Sequence, residues 1–243
     1  MTSRWSIEMV TGPTRSSATE NTLETGAEAV PVAESPVTLV APRPTPTVEV
    51  EGIFVPEGYE PGYAYPLLVW LSTVPLSPFD FDRRMRSLSD RNYLGVCIPV
   101  SQQHDVADVA SLVESVVGAM RREYHVHSER IIVVGMGDAA PLALEVALRQ
   151  PRWFGGVIAL GPAPKSRCLL AEAEHLRGFR VFLGGAPGDE WSSLKQTERL
   201  LWTAGMSVKL WQWTEGSRIP SSLWRQVNHW LMAGIENEAT VWV

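Results

Sequence analysis

Five consecutive residues, Gly135-Met136-Gly137-Asp138-Ala139, stand where a chain of this pattern would carry chemistry. Before them Ile131, Ile132, Val133 and Val134 form a β-branched run too apolar for a surface, which predicts a central strand buried on both faces. After them Leu142, Leu144, Val146, Ala147 and Leu148 supply the apolar stripe of a helix, with Asp138 placed to cap its first turn. Strand, sharp turn and helix form the setting in which a Gly-x-Ser-x-Gly sequence displays a serine hydroxyl for acyl transfer. The setting is present here without the serine: the apex residue is Gly137. Glycine has no side chain with which to form an acyl-enzyme or carry a proton.

Other chemistry-bearing residues are sparse. Asp138 and Asp189 could activate a water if burial separated their pKa values, although no second motif supports such a pair. His104, His125, His127 and His175 fall at loop or helix ends, where surface or capping roles are expected. None is spaced with another ligand type as a metal site requires, so neither a metal nor another cofactor is expected. Cys97 lies in an apolar strand and reads as a buried free thiol; with Cys168 it makes no disulfide framework. A reducing cytoplasm is the expected setting.

The elements that must position the turn alternate in type. A first strand or hairpin is expected at Val48, Val50, Ile53 and Val55, and buried strands at 65–71 and 93–100. An amphipathic helix at 79–91 separates those two strands. A longer helix at 106–124 precedes the central strand. Strands at 154–160, 179–183 and 208–213 follow, with helices at 191–204 and 223–235. Strands alternating with helices predict an α/β fold, a mostly parallel sheet with right-handed crossovers and helices on both faces. Ligands bind such sheets outside the carboxyl ends of the strands, where the Gly137 turn falls. No insertion is long enough for a substantial lid.

Residues 1–46 are rich in Thr, Ser, Pro, Glu and Ala and end in Pro42-Arg-Pro-Thr-Pro46. They are read as a disordered arm, and 47–243 as one folded domain, because the arm cannot bury enough surface to offset its ordering entropy. A net charge of −6 gives no basic stripe for nucleic acid. No apolar run has the length of a membrane span, and the start of the chain has no secretory apolar core. Seven of the ten tryptophans lie between Trp191 and Trp242, which predicts aromatic packing between the last helices and the sheet. Trp191, Trp211, Trp213 and Trp242 are the aromatic candidates for partner contact.

The stretch from His127 to Leu144, followed by Gln150-Pro-Arg-Trp-Phe-Gly-Gly-Val-Ile-Ala-Leu160, resembles the α/β-hydrolase superfamily. Within it the phospholipase/carboxylesterase and feruloyl-esterase-like branch is the most similar, from about Val55 to Trp230. The resemblance implies a Ser-His-Asp triad, whose positions can be followed one by one. Its nucleophile falls on Gly137, so that position is vacant. Its acid falls on Asp189, within Phe182-Leu-Gly-Gly-Ala-Pro-Gly-Asp189; with no histidine to orient, Asp189 is expected to cap the next helix instead. Its base falls on Ser217, in Glu215-Gly-Ser-Arg-Ile-Pro220, and serine is no general base near neutral pH. The oxyanion loop falls on Ser72 and Thr73, where the family carries His-Gly; Met136 and Asp138 complete the binding positions around the turn.

Nucleophile and base missing together predict a catalytically inactive hydrolase fold, retained to bind an unidentified protein partner or a small neutral ligand. The alternative is a carboxylic-ester hydrolase with a non-standard catalytic arrangement.

Overall fold

The computed structural model describes residues 5–7, 48–101, 103–164, 176–213 and 219–239. Its strands are β1 (Trp5–Ile7), β2 (Val48–Val50), β3 (Gly52–Phe54), β4 (Tyr65–Ser72), β5 (Leu94–Pro99), β6 (Val126–Met136), β7 (Gly156–Leu160), β8 (Arg180–Gly185) and β9 (Ser207–Gln212). Its helices are α1 (Pro78–Leu88), α2 (Val106–Glu123), α3 (Ala140–Arg149), α4 (Asp189–Thr203) and α5 (Ser221–Ala239), with a 3-10 turn at Gly137–Ala139.

Among the described residues β3 to β9 form one seven-stranded sheet in the order β3-β5-β4-β6-β7-β8-β9. Only β3 runs antiparallel to its neighbour; β4 through β9 are parallel. The chain passes from β4 to β5 on one side, then returns through α2 to β6 on the other. That reversal makes the carboxyl ends of β4 and β6 neighbours at a topological switch point.

Alternation along β6 shows why the sheet is buried on both faces. Ile131 and Val133 join a core cluster with α2, α3 and α4. Ile132 and Val134 point the other way, into a cluster with Phe81 and Met85 of α1 and Leu223, Trp224 and Val227 of α5. Each such fully buried branched side chain is worth roughly 1.5–3 kcal/mol against exposure. No helix among the described residues is long and apolar enough to cross a membrane.

The expected elements are present with shifted ends. α1 stops at Leu88, three residues before the expected end, because Ser89 adopts an extended conformation as its C-cap. The expected first hairpin divides instead between two sheets. β2 pairs antiparallel with β1, and β3 with β5, so Glu51 marks a change of sheet. Of residues 1–46 the structure describes only Trp5–Ile7. Cys168, His175, Ser217 and Trp242 also lie outside the described residues.

Candidate active site

The central turn joins a strand ending in Gly135 and Met136 to a helix entered through Ala139 and Ala140. Gly135 faces α3 so closely that a Cβ there would lie 2.6 Å from the Ala143 Cβ and would also strike the Ala139 carbonyl oxygen. Only glycine at 135, opposite alanines at 139 and 143, lets α3 sit this near the strand. Pro141 stands in the first turn of α3, where its missing N–H is not needed.

Gly137 forms the apex. Its φ is +56°, in the left-handed region, and a Cβ built on it would meet nothing within 4 Å. A side chain at 137 would therefore project into open space from a backbone conformation that L-residues adopt only at a cost. Asp138 is exposed and lies inside the 3-10 turn. It is not the expected cap: neither the 3-10 turn nor α3 receives a side-chain cap bond. The tight turn leaves Ala139 as the N-cap of α3, one residue too late for Asp138.

The neighbouring strands bring three more segments to the same edge. Register pairs Leu71 with Gly135 and Met136 with Leu160, which sets Ser72 and Gly161 beside the turn. The Ser72 hydroxyl donates to the Val74 carbonyl at 2.6 Å, which closes the loop on itself. Thr73 is half-buried next to it. Further along, the Leu76 N–H donates to the Glu51 carboxylate at 3.1 Å, tying this loop to the start of β3.

At the end of β8 the chain turns at Gly188, φ +133°, and α4 opens at Asp189. Gly188 is the N-cap and supplies no side-chain bond, so Asp189 is the first helical residue and not the cap. The fold thus places Ser72, Thr73, Met136, Gly137, Asp138 and the backbone of Asp189 at the carboxyl edge of one sheet. Ser217 is outside the described residues.

Four histidines lie among the described residues. His104 is exposed and accepts the Ser101 N–H at its Nδ1, 3.0 Å away. His125, exposed, and His127 sit at the amino end of β6, opposite the turn, and His229 is exposed on α5. Cys97 is free and fully buried, with Sγ 3.7 Å from a Glu51 carboxylate oxygen. Burial first and the Glu51 charge second push its thiol well above the ordinary range, so it is held protonated and poorly nucleophilic. Among the described residues no group of histidine, cysteine, aspartate and glutamate has the geometry to hold a metal.

Two contributors had not been singled out from the sequence. Arg84 of α1, half-buried, donates from Nη1 to the Met136 sulfur at 3.5 Å, placing a guanidinium beside the residue before the apex. Gly161 approaches the turn so closely that a Cβ would lie 2.6 Å from the Gly137 carbonyl oxygen. A Gly-Pro pair at the end of a strand could have flagged Gly161; no local signal marks Arg84.

The tryptophans divide by position. Trp213 and Trp224 are buried, and Trp191 and Trp211 are half-buried against the two core clusters. Trp202 is 72% exposed.

No protein-family model matches the chain, and no curated protein matches its sequence. Solved structures do. An esterase of Rhizomucor miehei is similar at a TM-score of 0.62 and 14% identity, covering 82% of each chain. Est1E from Butyrivibrio proteoclasticus gives 0.59 at 10% identity, over 78% of this chain and 95% of its own. A phospholipase/carboxylesterase from Dyadobacter fermentans DSM 18053 gives 0.55 at 17%, over 75% and 96%.

Proposed function

With the α/β-hydrolase fold of its carboxylesterase-type neighbours as premise, we propose that this chain is a catalytically silent member of that fold, kept as a binding or scaffolding domain. The observation that carries the reading is Gly137. It occupies the apex of a strand–turn–helix junction at φ +56°, with open space where a hydroxyl would stand. An esterase of this type attacks from that apex, and glycine offers no atom to attack with.

The second support is Ser217, at the position where the sequence resemblance calls for a histidine. Without an imidazole, a serine restored at 137 would have no partner to accept its proton. Loss of a triad member removes about 10⁴ to 10⁶ in rate. Ser72, Thr73, Met136 and Asp138 then line a mouth that holds a small neutral ligand or a protein surface. Asp138 disfavours an anion there.

The division into an arm (1–46) and a domain (47–243), the arm's use as a tether, and a cytoplasmic setting belong to the same proposal. The free thiol of Cys97 fits a reducing compartment.

Short-chain nitrophenyl ester turnover and fluorophosphonate labelling test it together. Neither is expected above background. Turnover without labelling would replace this reading with an ester hydrolase of non-standard arrangement, and turnover with labelling would place an active serine elsewhere in the chain.

A further inference from the structure

β9 closes the strand order and, among the described residues, pairs only with β8. The Ser207 N–H donates to the Phe179 carbonyl at 2.9 Å and the Trp213 N–H to the Gly185 carbonyl at 3.3 Å. The odd-numbered residues therefore turn their backbone groups toward β8, and Val208, Leu210 and Gln212 turn theirs outward. Every residue of β9 is half-buried or exposed, whereas the last five of β8 are buried. An edge of this kind is a template for another strand.

α4 borders that edge. Among its described residues Leu194, Thr197 and Leu201 are buried against the sheet. Lys195, Glu198 and Trp202 each follow one of these by a single residue, about 100° further round the helix. Trp191 lies one turn before Lys195 on the same flank, and the Lys195 Nζ stands 5.7 Å from its ring centroid. The crossover from β8 through α4 to β9 is right-handed, which makes this flank look out past β9. Lys195 and Trp202 are exposed, and Trp191 and Glu198 half-buried. Neither Lys195 nor Glu198 makes an ion pair with a described residue.

The stripe Trp191, Lys195, Glu198, Trp202 reads aromatic, cation, anion, aromatic, and its spacing is symmetric about the midpoint between Gln196 and Thr197. That midpoint lies level with Leu210. From Ser207 to Leu210 the strand climbs about 10 Å, and α4 covers the same height in about seven residues before Thr203. A two-fold axis through Leu210, perpendicular to the sheet, therefore suits strand and helix together.

We propose that this edge is a homodimer interface, at which a second copy of the chain adds its β9 antiparallel and joins two seven-stranded sheets into one. In this register Leu210 pairs with Leu210 of the second copy and Val208 with Gln212, which uses all the outward donors and acceptors of the three residues. Lysine on an edge strand ordinarily guards it against pairing. Here Lys209 falls opposite Trp211, a cation beside a ring; a register centred one residue earlier would set the two copies of Lys209 against each other. Alongside, Lys195 meets Glu198 of the second copy and Trp191 meets Trp202, each pair occurring twice. The interface is remote from the Gly137 turn in sequence and stands whether or not that turn is silent.

Sedimentation velocity of the full chain between about 1 and 200 µM tests the proposal, a range that brackets the affinities of small interfaces. A concentration-dependent dimer is expected. Trp202→Ala should weaken it by about tenfold or more, because the ring is lost at two places. Lys195→Glu sets acid against acid at both pairs, and Glu198→Lys sets base against base; each should weaken the dimer by about tenfold or more. Mixing those two variants separates this arrangement from others: the heterodimer regains opposite charges at both pairs. An equimolar mixture should dimerise at concentrations where neither variant does alone. Thermal melts matching the native chain establish that the variants are folded. A native chain that stays monomeric throughout, single variants as dimeric as the native chain, or a mixture no more dimeric than its components would each overturn the proposal. None of these results bears on the esterase assays.

Discussion

The Gly137 carbonyl oxygen lies 2.6 Å from the point where Gly161 would carry a Cβ. The loop after β7 is thereby pressed against the apex of the turn after β6, and the register Met136 to Leu160 delivers the two glycines side by side. The clash a side chain would cause is with backbone, which has little freedom to move aside. Gly161→Ala is therefore expected to destabilise the domain by about 1–3 kcal/mol, the usual cost of overpacking. Denaturant unfolding checks it, and an unchanged midpoint would show that the loop yields easily.

Completing the triad that the sequence resemblance implies is the direct test of the proposed silence. Gly137→Ser places a hydroxyl in open space at a backbone cost of about 1 kcal/mol. That variant is expected to fold, to melt slightly lower and to remain inert. Gly137→Ser with Ser217→His should give ester turnover and fluorophosphonate labelling. A well-folded double variant without either would show that the Ser72-Thr73 loop or the pocket does not support the reaction.

Glu51 ties two elements with one carboxylate oxygen, which accepts the Leu76 N–H and the Cys97 thiol. Glu51→Ala leaves both donors unpaired and should cost about 1–3 kcal/mol. It also removes a negative charge that holds the thiol protonated. In a Cys168→Ser background, Cys97 should then react faster with a disulfide reagent. An unchanged rate would mean that burial alone protects it.

Glu145 gives a pH signature. Burial within α3 raises its carboxyl above the ordinary value. The folded state thus holds the proton more tightly than the unfolded chain does. This contribution is favourable below the unfolded pKa and is lost as pH rises through the folded one. Glu145→Gln should raise the melting temperature at pH 7 and leave it nearly unchanged at pH 3.5. Equal shifts at both pH values would point to packing instead.

What the sequence made legible was the part decided by burial. Ile131 to Val134 could only be a two-faced strand, and the stripe from Leu142 to Leu148 could only be a helix lying on it. The spacing of Gly135, Gly137 and Ala139 located the turn: close approach of α3 excludes a side chain at 135, and the left-handed backbone favours glycine at 137. Asp138 and Asp189 were misread as caps, since the shift of a helix start by one residue has no apolar marker. The split between β2 and β3 was hidden for a similar reason: alternation shows that residues are extended but not which sheet they join. Arg84, 52 residues from Met136, reaches it only through the placement of α1 against the sheet.

The left-handed backbone at residue 137 also sets a direction for change. Leaving glycine for any other residue runs uphill in stability by about 1 kcal/mol, while arriving at glycine runs downhill. A hydroxyl-bearing residue at 137 would thus be held only by selection for its chemistry, because the turn itself favours glycine.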